Sequence, residues 1–261
     1  MKLCASNIAW PAELDDTVFR YMRDSGFAGL ESAPSRLFLE RPYDCLGEAG
    51  EFALRLKRNY GLSAASIQSV FYGVKGSIAG PPQERRELQE CMHKAVNFAD
   101  ALDCRNIVFG CPKNRRIEAP QDKAVIEEFL LNAADYAQYY GVVIALEPNP
   151  AVYGTNFINT TQEAIELITR LNHPALRLNL DFGTVIINGE SLGLVRKYSL
   201  LVNHVHISEP ALAAVTKHRG HAVLRGILEG AGWGKFISIE MRRQDISEIV
   251  RVMNYVKEVF A

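Results

Sequence analysis

Short apolar runs, in which every second position is polar or small, alternate along the chain with longer stretches whose apolar residues recur at three-and-four spacing. The first pattern belongs to a strand with two unlike faces, the second to a helix that buries one stripe. Eight strand-like runs stand out: Lys2 to Asn7, Phe27 to Ala33, Ser63 to Phe71, Asn106 to Cys111, Val142 to Glu147, Leu176 to Asp181, Leu201 to Ser208 and Phe236 to Met241. Amphipathic segments lie between them, among them Glu84 to Leu102, Lys123 to Tyr140 and Asp245 to Phe260. Gly26, Gly61 and Gly141 stand where such helices would end in a left-handed turn, and Thr160 or Thr161 with Glu163 or Glu166 marks a helix start. Strand then helix, eight times, predicts an α/β fold, the (β/α)8 TIM barrel. Gly80, Pro81 and Pro82 interrupt the chain without forming a linker, so residues 1–261 read as a single barrel domain.

Side chains alternate between the two faces of a strand, one turned toward the helices and one toward the barrel interior. In the sixth run Leu176, Leu178 and Leu180 share a face, which leaves Arg177, Asn179 and Asp181 inward. The same parity turns Glu147, His204, His206 and Glu240 inward in the fifth, seventh and eighth runs. Glu147, Asp181, His206 and Glu240 each fall near a strand's C-terminal end, the rim where barrel active sites are built. Arg177 and His204 are too few inward cations to neutralise three carboxylates, and an unpaired buried charge costs on the order of several kcal/mol. The set therefore predicts a single divalent metal ion. Hard oxygen donors with one imidazole suit Mn²⁺ best, with Mg²⁺, Co²⁺ and Zn²⁺ also accommodated.

Charge and cysteines narrow the partners. With 29 Lys and Arg against 30 Asp and Glu, the chain lacks the basic excess of a non-specific nucleic-acid binder, which leaves a small molecule as the expected partner. Five cysteines without a CxxC spacing suggest neither a disulfide framework nor a zinc knuckle. The N-terminus has no secretory pattern and no run of apolar residues is long enough to span a bilayer, so a cytoplasmic protein without a membrane partner is expected. The outer helix 245–260 offers a face for a homo-oligomer.

The runs EPNP after the fifth strand, LDFG after the sixth, HVHISE in the seventh and SIEM in the eighth resemble the xylose-isomerase-like superfamily, within it the ketose 3-epimerases and inosose-processing enzymes. The resemblance covers nearly the whole chain. It implies that Glu147, Asp181, His206 and Glu240 hold one divalent cation and that Glu147 and Glu240 are also the catalytic acid/base pair. The implied activity is that of a sugar isomerase or epimerase, which removes a proton α to a carbonyl and stabilises the enediolate with the metal. Dehydration of an inosose-like cyclic polyol begins with the same proton removal and is the alternative; a sugar-binding barrel without turnover is a third reading. Apurinic-site endonucleases share this barrel but carry extra histidines after the second, third and sixth strands, where this chain reads ESAPS, IQSVF and DFGTV.

The chain departs from the ketose 3-epimerase pattern in two places. Thr184 stands where those enzymes have a substrate-gripping histidine, and Leu212 where they have an arginine. His218, Arg219 and His221 of the segment KHRGHAVL are candidate replacement donors. For substrate binding, Asn7, Gln68, Tyr153 and His221 are the expected side chains, with Glu31, Trp10, Phe71 and Tyr72 further candidates near the rim. Lys113, Arg115 and Arg116 read as a solvated basic turn, and Cys111 as a packing residue.

Overall fold

A computed structural model describes Met1–Ala261. Its strands are β1 (Lys2–Ser6), β2 (Gly29–Ser32), β3 (Ser63–Ile67), β4 (Asn106–Phe109), β5 (Val143–Leu146), β6 (Leu176–Asp181), β7 (Val202–Ile207) and β8 (Phe236–Ile239). They pair in parallel and in sequence order, and β8 closes on β1 with Lys2 opposite Phe236, giving a closed (β/α)8 barrel. The main outer helices are α1 (Asp15–Asp24), α2 (Leu46–Tyr60), α3 (Pro82–Ala101), α4 (Asp122–Tyr139), α5 (Thr161–Leu171), α6 (Phe182–Asn188), α7 (Arg219–Gly230) and α8 (Ile246–Phe260).

Most strands stop a residue or more short of the expected run, and local backbone geometry explains the largest differences. Ser69 lies at φ 55° and Cys111 at φ 44°, left-handed conformations that turn the chain out of the sheet after β3 and β4. The caps follow the sequence closely. Thr160 and Glu163 form a reciprocal capping box at the start of α5, and Gly61 closes α2 at φ 70°.

The two faces of the sheet are chemically distinct. Outward residues such as Leu3, Leu30, Ile67, Ile107, Phe109, Leu146, Val205 and Ile237 pack against Leu88, Met92, Leu130, Val252 and Val256 of the helices in one apolar cluster. Inward residues Ser6, Glu31, Ser66, Gln68, Asn179, His204, His206 and Ser238 are buried yet lie outside that cluster. They hydrogen-bond across the barrel: Asn106 Nδ2 donates to Ser66 Oγ at 2.9 Å, Gln68 Nε2 to Ser6 Oγ at 2.7 Å, and Ser238 Oγ to Glu31 Oε1 at 3.1 Å. Hydrophobic burial that closes the fold thus sits between sheet and helices, which leaves the barrel axis free for polar chemistry. No helix is long and apolar enough to cross a membrane.

Candidate metal centre

Strand register brings the four expected ligands to one depth. Asp181 is paired with His206 across β6 and β7, and His206 with Ser238 across β7 and β8. Glu147 and Glu240 each follow a strand directly, held by their amides on Phe109 O and Ile207 O, both at 3.0 Å. One donor atom from each of Glu147, Asp181, His206 and Glu240 lies within 4.8 Å of the other three. His206 Nδ1 sits 3.0 Å from Glu147 Oε1 and 3.1 Å from Glu240 Oε2. Three carboxylates around one imidazole are short of positive charge, and a divalent cation among these donor atoms would supply it; the donor set fits such an ion.

Two of these side chains, Glu147 and Asp181, are also held from behind. Asn179 Nδ2 donates to Glu147 Oε1 at 2.7 Å and Asn149 Nδ2 to Glu147 Oε2 at 3.0 Å. Asp181 caps α6: the Thr184 amide donates to Oδ1 at 2.6 Å, while Ser208 Oγ donates to Oδ2. Gly110 leaves room for Glu147, since a Cβ at that position would lie 2.6 Å from Glu147 Oε2.

The same surroundings separate the carboxyl groups in acidity. Burial pushes Glu240 up, and although His206 opposes it, repulsion from Glu147 and Asp181 adds to the rise, to about 7. Burial likewise raises Asp181, with Glu147 adding to the effect. For Glu147, burial is outweighed by the hydrogen bond and charge of His206, and the carboxyl ends below its ordinary value. His206 is the converse case: burial disfavours its charge, but Glu240 and Glu31 hold the ring well above the usual histidine range.

The remaining candidates divide. Gln68 joins the inner network, donating to Glu31 Oε1 at 3.1 Å. Asn7 accepts the Ala33 amide at 2.9 Å and has a buried Nδ2 with no partner. Tyr153 is half-buried, and its hydroxyl accepts the Ala211 amide at 2.8 Å, tying the loop after β5 to the loop after β7. Trp10 and Phe71 are buried and Tyr72 is exposed. Thr184 donates its hydroxyl to Pro148 O at 3.1 Å.

His221 needs correcting. Its ring makes no hydrogen bond to any of the four candidate ligands; α7 begins at Arg219 and turns the ring inward. The ring is fully buried, packed on Phe182 at 4.2 Å between centroids, with Nδ1 2.8 Å from Tyr255 Oη. Burial pushes its pKa down to about 4, below the ordinary value of 6.5. Between those limits the unfolded chain takes up a proton that the folded chain refuses. The contribution of the neutral ring is complete above about pH 6.5 and is lost as pH falls toward 4, a swing of about 3 kcal/mol. Thermal unfolding of His221→Phe against the wild type is expected to show the wild type losing ground steadily from pH 7 to 4.5. A difference that does not change with pH would refute the assignment.

Arg115 is a second correction. Lys113 and Arg116 are exposed as expected, but Pro112–Arg115 forms a 3-10 turn that drives the Arg115 guanidinium into the interior. Its Nη1 donates to Glu147 O at 3.1 Å, and its Nη2 to Asn149 Oδ1 at 2.8 Å and Ile158 O at 3.2 Å. Asn149, Asn179 and Gly110 also escaped selection as site residues. For Asn179 the signal was present, since it shares the inward face of β6 with Asp181.

Comparison with known proteins agrees with this architecture. Residues 19–255 match the family model described as xylose isomerase-like TIM barrel. A human protein provisionally named hydroxypyruvate isomerase is 25% identical over 252 residues, covering 90% of this chain and 88% of that protein. A zebrafish protein of the same name is 25% identical over 140 residues, and the match spans only 51% of each. Among solved structures, 3-keto-D-glucoside 4-epimerase from E. coli superposes with a TM-score of 0.80 at 18% identity, covering 99% of both chains. D-psicose 3-epimerase from Clostridium cellulolyticum, determined with D-tagatose, gives 0.80 at 17% identity with 99% of both chains covered. The IolI protein, determined with a zinc atom, gives 0.76 at 16% identity and full coverage of both.

Proposed function

Because this chain belongs to the xylose isomerase-like TIM-barrel family, we propose that it is a divalent-metal-dependent isomerase or epimerase acting on a sugar or a smaller α-hydroxycarbonyl compound. The observation that carries this reading is the convergence of Glu147, Asp181, His206 and Glu240 within 4.8 Å at the C-terminal rim. These four would hold the ion, with Mn²⁺ the best match to a mostly carboxylate set. The ion supplies Lewis-acid stabilisation of the negative charge that develops on the substrate's oxygens.

The chain's own residues do the rest. Glu147 and Glu240 lie 3.0 and 3.1 Å from His206 Nδ1, and we assign them to the proton transfers, one carboxylate taking the proton α to the carbonyl and the other returning one. Return to the same carbon from the opposite face inverts it; return to the neighbouring carbon moves the carbonyl. Asn149 and Asn179 fix the Glu147 carboxyl by occupying both its oxygens, so its direction of approach is set before substrate arrives.

The test is solvent deuterium exchange with Mn²⁺ supplied, across ketoses, their phosphates, cyclic ketopolyols and hydroxypyruvate. Exchange at the carbon next to a carbonyl is expected for at least one class and is expected to fall to background on chelation. Loss of water from the substrate would make the protein a lyase. Absence of exchange throughout, or retention of none of Mn²⁺, Co²⁺, Mg²⁺ and Zn²⁺, would overturn the proposal.

A further inference from the structure

Beneath the metal centre lies a second acidic group that the proposed proton transfers do not use. Glu31 of β2 is fully buried. Its Oε1 accepts from Gln68 Nε2 and Ser238 Oγ, each at 3.1 Å. Its Oε2 lies 3.0 Å from His206 Nε2 in hydrogen-bonding geometry. His204 Nε2 is 2.8 Å from the same oxygen but out of line for a hydrogen bond, which leaves that nitrogen without a partner. Both rings bear on Glu31 Oε2, and His206 does so in hydrogen-bonding geometry.

A carboxylate can only accept, so the hydrogen of this contact sits on His206 Nε2. In the neutral ring that would ligate a cation, the lone pair is then on Nδ1, the nitrogen facing Glu147 and Glu240. We propose that Glu31 is a positioning residue for the metal centre. It fixes the ring plane and tautomer of His206 so that Nδ1 is presented as a ligand, in the manner of carboxylates that back metal-binding histidines. Gln68 and Ser238 hold Oε1, so Glu31 cannot rotate away without breaking two further hydrogen bonds. The inference rests on the metal-centre reading above and extends it from the rim to β2, on the opposite half of the barrel.

The test is Mn²⁺ affinity by calorimetry and the visible spectrum of the Co²⁺-loaded protein, for wild type, Glu31→Gln and Glu31→Asp. Glu31→Gln keeps the volume and is expected to weaken Mn²⁺ binding about 10- to 100-fold and to shift the Co²⁺ spectrum. Glu31→Asp, which retains the carboxylate on a shorter stem, is expected to recover part of the affinity and covers the case in which Glu31→Gln does not fold. Affinity and spectrum unchanged in the variants, with wild type binding one ion, would overturn the positioning role while leaving the proposed function standing. A wild type that binds no ion removes both. Two ions per chain, one of them lost in Glu31→Gln, would also overturn it by making Glu31 a ligand in its own right.

Discussion

Replacing Glu240 by Gln is expected to lower exchange of the substrate's α-proton by at least about 10²- to 10⁴-fold, the range contributed by a positioned acid or base. The amide retains the size of the side chain but can neither take up a proton nor bring negative charge to the ion, so Mn²⁺ affinity should weaken as well. Global unfolding should change little, because Glu240 lies at the rim outside the apolar cluster. Glu147→Gln is the matched experiment. If each variant loses exchange with a different epimer of the substrate, the two carboxylates work from opposite faces; turnover unchanged in either would remove that residue from the mechanism.

Arg115→Met is expected to destabilise the fold. Two effects oppose each other. Burial costs the guanidinium enough to pull its pKa down to about 10, and its Nε has no partner, so an apolar replacement recovers desolvation. Against this, Glu147 O and Asn149 Oδ1 lose their donor in the interior, at about 1–3 kcal/mol for each acceptor left bare, while Ile158 O keeps the Asn149 amide at 3.1 Å. The two orphaned acceptors outweigh the recovered desolvation, and the expected net loss is about 2–4 kcal/mol, or roughly 10 °C in melting temperature. Arg115→Lys keeps the charge but not the fork and should fall between. A melting temperature for Arg115→Met within a degree or two of wild type would show that the loop from Glu147 to Ile158 holds itself.

The barrel and the inward placement of the four candidate ligands were readable because both rest on local periodicity. In Leu176–Asp181 alternation alone separates leucines from Arg177, Asn179 and Asp181, and the strand has those bounds. Parity placed His206 and Glu240 on the same inward side without any knowledge of the sheet. What was not readable depends on contacts across the barrel or on turn geometry. His204 was counted as a cation available to the four carboxylates, but the carboxylate beside it is Glu31, 173 residues earlier on another strand. Arg115 sits in a run with Lys113 and Arg116, and composition cannot say which of three neighbouring basic residues a 3-10 turn will drive inward. The burial of His221 depends on a helix start in the same way: α7 begins at Arg219, and within its first turn the ring enters the interior.

The four candidate ligands come from consecutive strands, β5 to β8, so the loops after β1 to β4 are under no obligation to bind metal. A hybrid molecule taking its front hemisphere from a relative could therefore acquire a new substrate preference with its reactive groups intact. The contact between Glu31 and His206 sets one condition on such a graft, and the room that Gly110 leaves for Glu147 and the grip of Arg115 on Glu147 O and Asn149 set two more. The donor hemisphere must bring an acid at the equivalent place on its second strand, or the imidazole it inherits will be left without a brace.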